Sequence, residues 1–168
     1  MSIFTPFEMF ESVTAITPEY LKRNNINTLL LDVDNTLSCH HAGVLYNGVA
    51  EWLEKMKKSG ISLFVVSNSK NKRIEPFAQK IGLPFEALSL KPLTKGINRA
   101  IKRANAEKKT TALVGDQLFT DVLGARLAGI KAIFVRYIKK ENGKSFRVRR
   151  YFESKILKGK KYKSGEEN

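Results

Sequence analysis

The chain is predicted to fold as α/β with a central parallel sheet, because short apolar runs rich in β-forming residues alternate along it with segments of helical period. A second observation is that polar residues able to do chemistry follow most of these runs, as they follow the carboxyl ends of strands in open parallel sheets. Third, 168 residues at 42% hydrophobic content suffice for one core, and no internal repeat or low-complexity stretch divides it.

The first core strand is expected over Asn27 to Asp32. A helix from about Gly48 to Ser59 places Val49, Trp52, Leu53 and Met56 on one face, and Gly60 ends it. Strand two follows from Ile61 to Val66. A short helix is predicted over Ile74 to Ile81, since Pro76 is tolerated near a first turn and Gly82 is a stop. Phe85 to Leu88 reads as a weak strand, and Ile97, Ala100, Ile101 and Ala104 as the buried stripe of the next helix. Thr110 to Val114 is the following strand, Val122, Ala125 and Ala128 mark another helix, and Lys131 to Arg136 is the last strand.

The ends differ from this middle, which divides the chain into an amphipathic segment (1–26), a core (27–138) and a basic extension (139–168). Ile3, Phe7, Phe10 and Val13 are spaced as one face of a helix. Ser145 to Leu157 mixes Phe146, Tyr151, Phe152 and Ile156 with Arg147, Arg149, Arg150 and Lys155, so either end is suited to a membrane surface or to packing on the sheet. Residues 139–168 hold eleven Lys or Arg against four Glu, half of the formal charge of +14, and this favours polyanions, whether acidic lipid or RNA. No recognisable RNA-reading motif accompanies the charge, so nucleic acid is the less favoured partner. The apolar runs are too short to span a bilayer, no secretory signal is expected, and the single Cys39 makes no internal disulfide; a cytoplasmic protein, peripheral at most on the membrane, is the expectation.

Asp32 and Asp34 stand two apart at the end of an extended segment, where side chains of period two face one cavity. One carboxylate can attack phosphorus, and the other can protonate the leaving oxygen and then activate water. Asp116, from another strand end, adds a third carboxylate of the kind an oxygen-ligated magnesium site requires, and Lys91 offsets phosphoryl charge. His40 and His41 could touch substrate and Asn71, Lys72 and Arg73 could form its rim, but plain surface and a solvated turn are the favoured readings, while Asn35 suits a left-handed turn position.

Leu31-Asp32-Val33-Asp34-Asn35-Thr36-Leu37, Ser67, Lys91-Pro92 and Gly115-Asp116-Gln117-Leu118-Phe119-Thr120-Asp121 together resemble the four ordered motifs of the haloacid dehalogenase-like phosphatases. The chain is most similar to the capless subfamily IIIA, YqeG-type members, whose eukaryotic relatives include phosphatidylglycerophosphate phosphatases. The resemblance implies a three-layer Rossmann-like fold without a cap domain, and a magnesium-dependent phosphatase working through an aspartyl phosphate. It implies Asp32 as nucleophile, and Asp34 as acid and base with its main-chain carbonyl on magnesium. Ser67 and the Asn68 amide would hold phosphoryl oxygens, Lys91 would bridge Asp32 and the phosphoryl group, and Asp116 would complete the metal site, with Asp121 and Thr36 supporting from outside. Only about ten residues separate Leu37 from the helix near Gly48, too few for an inserted cap. An open site suits a lipid or macromolecular phosphoester, or a soluble sugar or nucleotide phosphate enclosed by another subunit.

Overall fold

The computed structural model of the chain describes residues 2–39, 43–136 and 144–164. The five predicted apolar runs become β2 (Thr28–Leu31), β3 (Ser62–Val66), β4 (Phe85–Glu86), β5 (Thr111–Gly115) and β6 (Lys131–Val135), and β1 (Glu8–Phe10) precedes them. All pairings are parallel, in the order β1-β6-β5-β2-β3-β4. The helices are α1 (Pro18–Arg23), α2 (Val49–Lys58), α3 (Asn71–Lys80), α4 (Thr94–Arg103), α5 (Leu123–Ala128) and α6 (Lys144–Ile156).

Residues of period two along a strand face opposite sides, and here both sides are buried. Leu29 and Leu31 of β2 join Trp52, Leu53 and Met56 of α2 and Phe77 of α3 in one cluster. Leu30 faces the other way, toward Ile97 and Ala100 of α4 and Ala125 of α5. This is the three-layer arrangement the sequence predicts, and no inserted cap domain occurs among the described residues. From β2 the chain builds β3 and β4 on one side, then crosses to build β5 and β6 on the other. The crevice between the ends of β2 and β5 is therefore the topological switch point, where open α/β sheets bind ligands.

Two local expectations are corrected. The N-terminal segment is not a helix over Ile3 to Val13: Glu8–Phe10 is an edge strand beside β6, and Phe7 N–H donates to the Ala132 carbonyl at 2.7 Å. Met9 and Phe10 enter the two opposite clusters, which a strand allows and a single apolar helix face does not. Helix α3 begins at Asn71, with Pro76 inside it. Lys72 and Pro76 are both exposed, so the turn that proline leaves one hydrogen bond short lies on the outer face of the helix. His40, His41 and the predicted boundary at residue 138 lie outside the described residues. No helix among the described residues is long and apolar enough to cross a membrane.

Candidate active site

Asp32 follows β2 directly, its N–H bonded to the Val114 carbonyl of β5 at 2.9 Å. The chain then turns tightly, with the N–H groups of Leu37 and Ser38 both donating to the Val33 carbonyl at 3.0 Å. Asn35 takes the left-handed conformation expected of it, at φ 58°, and the Tyr46 hydroxyl donates to Asn35 Oδ1 at 3.1 Å. Thr36 is buried in this turn, and its Oγ1 has no hydrogen-bond partner.

Four of the predicted residues converge. Carboxylate oxygens of Asp32, Asp116 and Asp121 lie within 4.8 Å of one another, and all three residues are buried. Lys91 Nζ enters this group, donating to Asp32 Oδ1 at 2.6 Å and to the Val66 carbonyl at 3.0 Å. It also stands 2.7 Å from Asp121 Oδ1, an ion pair outside hydrogen-bond alignment. Asp121, expected in a supporting position, thus has a carboxylate oxygen within 4.8 Å of the other two.

Asp121 reaches this point because Leu118–Val122 forms a wide helical turn after β5, and its Oδ2 accepts the Gln117 N–H at 3.1 Å. A Cβ on Gly115 would fall inside the Asp121 carboxyl, so only glycine admits that side chain. Gly115→Ala is expected to cost roughly 1–3 kcal/mol through overpacking and to weaken divalent-cation binding, measured by melting curves with and without magnesium. An unchanged cation-induced shift would show that Asp121 is not needed there.

Asp34 lies close enough for its charge to act on Asp32, yet its own carboxylate is gripped by Arg73 of α3, with Nη1 2.8 Å from Oδ2 and Nη2 on Oδ1. Arg73, read from sequence as surface, is a half-buried clamp on the predicted acid and base. Ser67 follows β3 and is buried; its Oγ accepts the Ser69 N–H at 3.1 Å. The Asn68 side chain is committed elsewhere: Oδ1 accepts from Lys91 N–H at 2.7 Å and from Ser89 Oγ at 2.8 Å, and Nδ2 donates to the Lys91 carbonyl at 2.9 Å. Asn68 therefore fixes the backbone that carries Lys91, which leaves its main-chain amide as the part suited to a ligand.

Helix α6 closes the far side. Arg150 donates to both the carbonyl and Oδ2 of Asp116, and Glu153 accepts the Leu118 N–H at 2.8 Å while pairing with Arg150, also at 2.8 Å. Neither residue was singled out from sequence for this place. The available signal is that Glu153, three residues after Arg150, is the sole acid between Lys144 and Lys163.

Burial drives the Asp32 carboxyl upward; Lys91 opposes this, while the charges of Asp121 and Asp34 add to it. Asp116 is raised well above the usual carboxylate range by burial, against the pull of Arg150 and with help from Asp32 and Asp121. Burial alone would lower Lys91, but Asp121 and Asp32 outweigh it and hold the ammonium form well above its usual range. Asp116 Oδ1 is buried with no partner. A site with excess carboxylate charge and an orphaned carboxylate oxygen fits an oxygen-ligated divalent cation, held by Asp32, Asp116 and Asp121.

The chain is similar to known proteins in sequence and in fold. The sequence model of the haloacid dehalogenase-like hydrolase family matches residues 3–135. The chain is 36% identical over 160 residues to "Probable phosphatase YqeG" of Bacillus subtilis, covering 95% of this chain and 93% of that protein. Among solved structures it is similar to an uncharacterised Listeria monocytogenes protein, with TM-score 0.58, 22% identity, and 70% and 85% of the two chains covered. It is also similar to a Moraxella catarrhalis 3-deoxy-D-manno-octulosonate 8-phosphate phosphatase crystallised with magnesium and phosphate, with TM-score 0.54, 19% identity, and 82% and 95% covered.

Proposed function

Because the chain belongs to the haloacid dehalogenase-like hydrolase family and is a phosphatase, we propose that it hydrolyses a phosphomonoester through an aspartyl phosphate on Asp32, with Mg2+ as its cation. The observation that carries this reading is the meeting of the Asp32, Asp116 and Asp121 carboxylates with the Lys91 ammonium at the switch point of the sheet. Magnesium, when bound, would supply charge neutralisation for the phosphoryl oxygens. The relative crystallised with magnesium and phosphate supports that choice of ion.

In this reading Asp32 attacks phosphorus, and the bond to the leaving oxygen breaks as Asp34 gives that oxygen a proton. Asp34 then takes a proton from water, which attacks the acyl phosphate and frees inorganic phosphate. Arg73 stabilises the charged form of Asp34, the form that activates water, and the grip has to open for the donating step. Lys91 holds Asp32 in line and balances the incoming phosphoryl charge, while Ser67 and the Asn68 amide receive its oxygens.

The substrate class we favour is an anionic phospholipid bearing a terminal phosphomonoester, such as phosphatidylglycerophosphate. Leu88, Leu90 and Leu93 flank Lys91 in sequence and are 48%, 58% and 62% exposed, so the loop that supplies the catalytic ammonium presents apolar side chains to solvent. Two of them, Leu88 and Leu90, have positive φ, a backbone state that leucine adopts at a cost. The basic end of the chain adds attraction of about 1 kcal/mol per Lys or Arg near an anionic surface. The test is magnesium-dependent phosphate release from the lipid in mixed micelles and from soluble sugar and nucleotide phosphates, with acid-quenched protein probed for hydroxylamine-labile phosphate. Labelled Asp32 and preference for the lipid are expected. Turnover without labelled protein would reject the covalent route, and preference for a soluble ester would reject the lipid.

A further inference from the structure

Both oxygens of Asp121 are engaged by the protein, one by the Gln117 N–H and one by Lys91, yet Asp116 shows a different division. Its Oδ2 and its main-chain carbonyl are both taken by the Arg150 guanidinium, while its Oδ1 is buried and unpartnered. A carboxylate gripped through one oxygen and its own carbonyl cannot swing about its terminal torsion. The remaining oxygen is buried without a partner in a residue that clusters with Asp32 and Asp121.

The grip is itself anchored. Arg150 is paired at 2.8 Å with Glu153, one turn further along α6, and Glu153 accepts the Leu118 N–H, the first amide of the turn that carries Asp121. Arg150 and Glu153 are largely buried, with side chains 16% and 4% exposed, while Val148, Tyr151 and Phe152 of the same helix face outward. The inward side of this helix therefore carries the ion pair, beside Ile156 on the core, and the pair meets Asp116 and the first amide of the turn that bears Asp121.

We infer that α6 is an integral part of the cation site: Arg150 is a positioning residue that aims Asp116 Oδ1 at the ion, and Glu153 locks Arg150 to the turn bearing Asp121. This rests on the reading of Asp32, Asp116 and Asp121 as cation ligands. It goes beyond the family resemblance, because the region matched by the family model ends at residue 135, before α6 begins. Partners that orient a metal-binding carboxylate are worth roughly 10–100-fold in metal affinity.

The experiment titrates Mn2+ into the full-length protein and reads free ion by electron paramagnetic resonance, for wild type, Arg150→Ala, Arg150→Lys and Glu153→Gln, with melting curves for each. Arg150→Ala is expected to bind Mn2+ about 10–100-fold more weakly while melting as a folded protein, and millimolar guanidinium is expected to restore part of the affinity. Arg150→Lys keeps the charge, loses the fork, and carries the same expectation should the alanine variant fail to fold. A purely structural role would not respond to guanidinium. Equal affinity in wild type and Arg150 variants overturns the positioning role and leaves the cation site standing. Tighter binding in Arg150→Ala overturns it too, by showing that the guanidinium competes with the ion. A wild type that binds no Mn2+ overturns both this inference and the reading beneath it.

Discussion

Asp32→Asn is expected to fold, to bind its phosphoester, and to lose turnover by at least about 10³-fold, since removal of a hydrolase nucleophile costs up to about 10⁶. The side chain keeps its shape, so the turn through Val33 and the Asp32 N–H bond to Val114 are undisturbed. Lys91 retains Asp121 and the Val66 carbonyl. No other carboxylate is placed to substitute: Asp34 is held by Arg73, Asp116 by Arg150, and Asp121 by the Gln117 amide and Lys91. The substitution also removes one of three like charges crowded in a buried space, so the cation-free variant is expected to melt no lower than wild type at neutral pH. Turnover is measured with saturating magnesium, and the fold by melting and circular dichroism. Activity within tenfold of wild type would remove Asp32 from the reaction.

The parts of this protein that sequence exposed are those governed by local pattern. The runs Leu29 to Leu31, Leu63 to Val66 and Ala112 to Val114 announce themselves because both faces of a parallel sheet are buried, so the apolar character is continuous. Asp32, Ser67 and Asp116 are legible because they stand where such runs stop. The edge strand at Glu8–Phe10 was hidden, since three residues carry no period, and the spacing of Phe7, Phe10 and Val13 mimics a helix. Arg73 and Arg150 were hidden for another reason. Each sits in a stretch rich in Lys and Arg, where composition describes a solvated surface, and each is drawn inward by a carboxylate 39 or 34 residues away in sequence. Asn68 lay within a recognised motif, but its grip on Lys91 depends on how the loop after β4 returns to β3, a tertiary fact. Gly96 marks the same return: a Cβ there would collide with the Ser89 backbone, so α4 seats the loop that presents Lys91.

Lys91→Met is expected to abolish measurable turnover and to destabilise the cation-free protein at neutral pH by about 3–5 kcal/mol, the usual consequence of removing one partner from a buried ion pair. Lys91 is the ammonium placed between Asp32 and Asp121, and methionine fills its volume without its charge. The loss should depend on pH in a definite sense. The folded-state Asp32 carboxyl is already raised by burial, and without Lys91 its chief opposing influence is gone. A carboxyl raised in the folded state keeps its proton where the unfolded chain, titrating near about 4, has released it. Stability from that group is then fully present below the unfolded value and is lost as pH rises through the folded one. Wild-type Asp32, pushed up to about 7, and the variant's carboxyl, raised further, both keep the proton below that value. The deficit of the variant relative to wild type should accordingly change little between about pH 4 and about pH 6 and grow as pH rises through about 7. Saturating magnesium should recover much of it, because the ion supplies the charge that Lys91 no longer does, while turnover stays lost because nothing holds Asp32 in line. Equilibrium denaturation of both proteins at several pH values, with and without magnesium, reads each part separately. A deficit that ignores both pH and magnesium would mean that Lys91 supports the fold by packing alone, and that the three carboxylates do not act as one charged group.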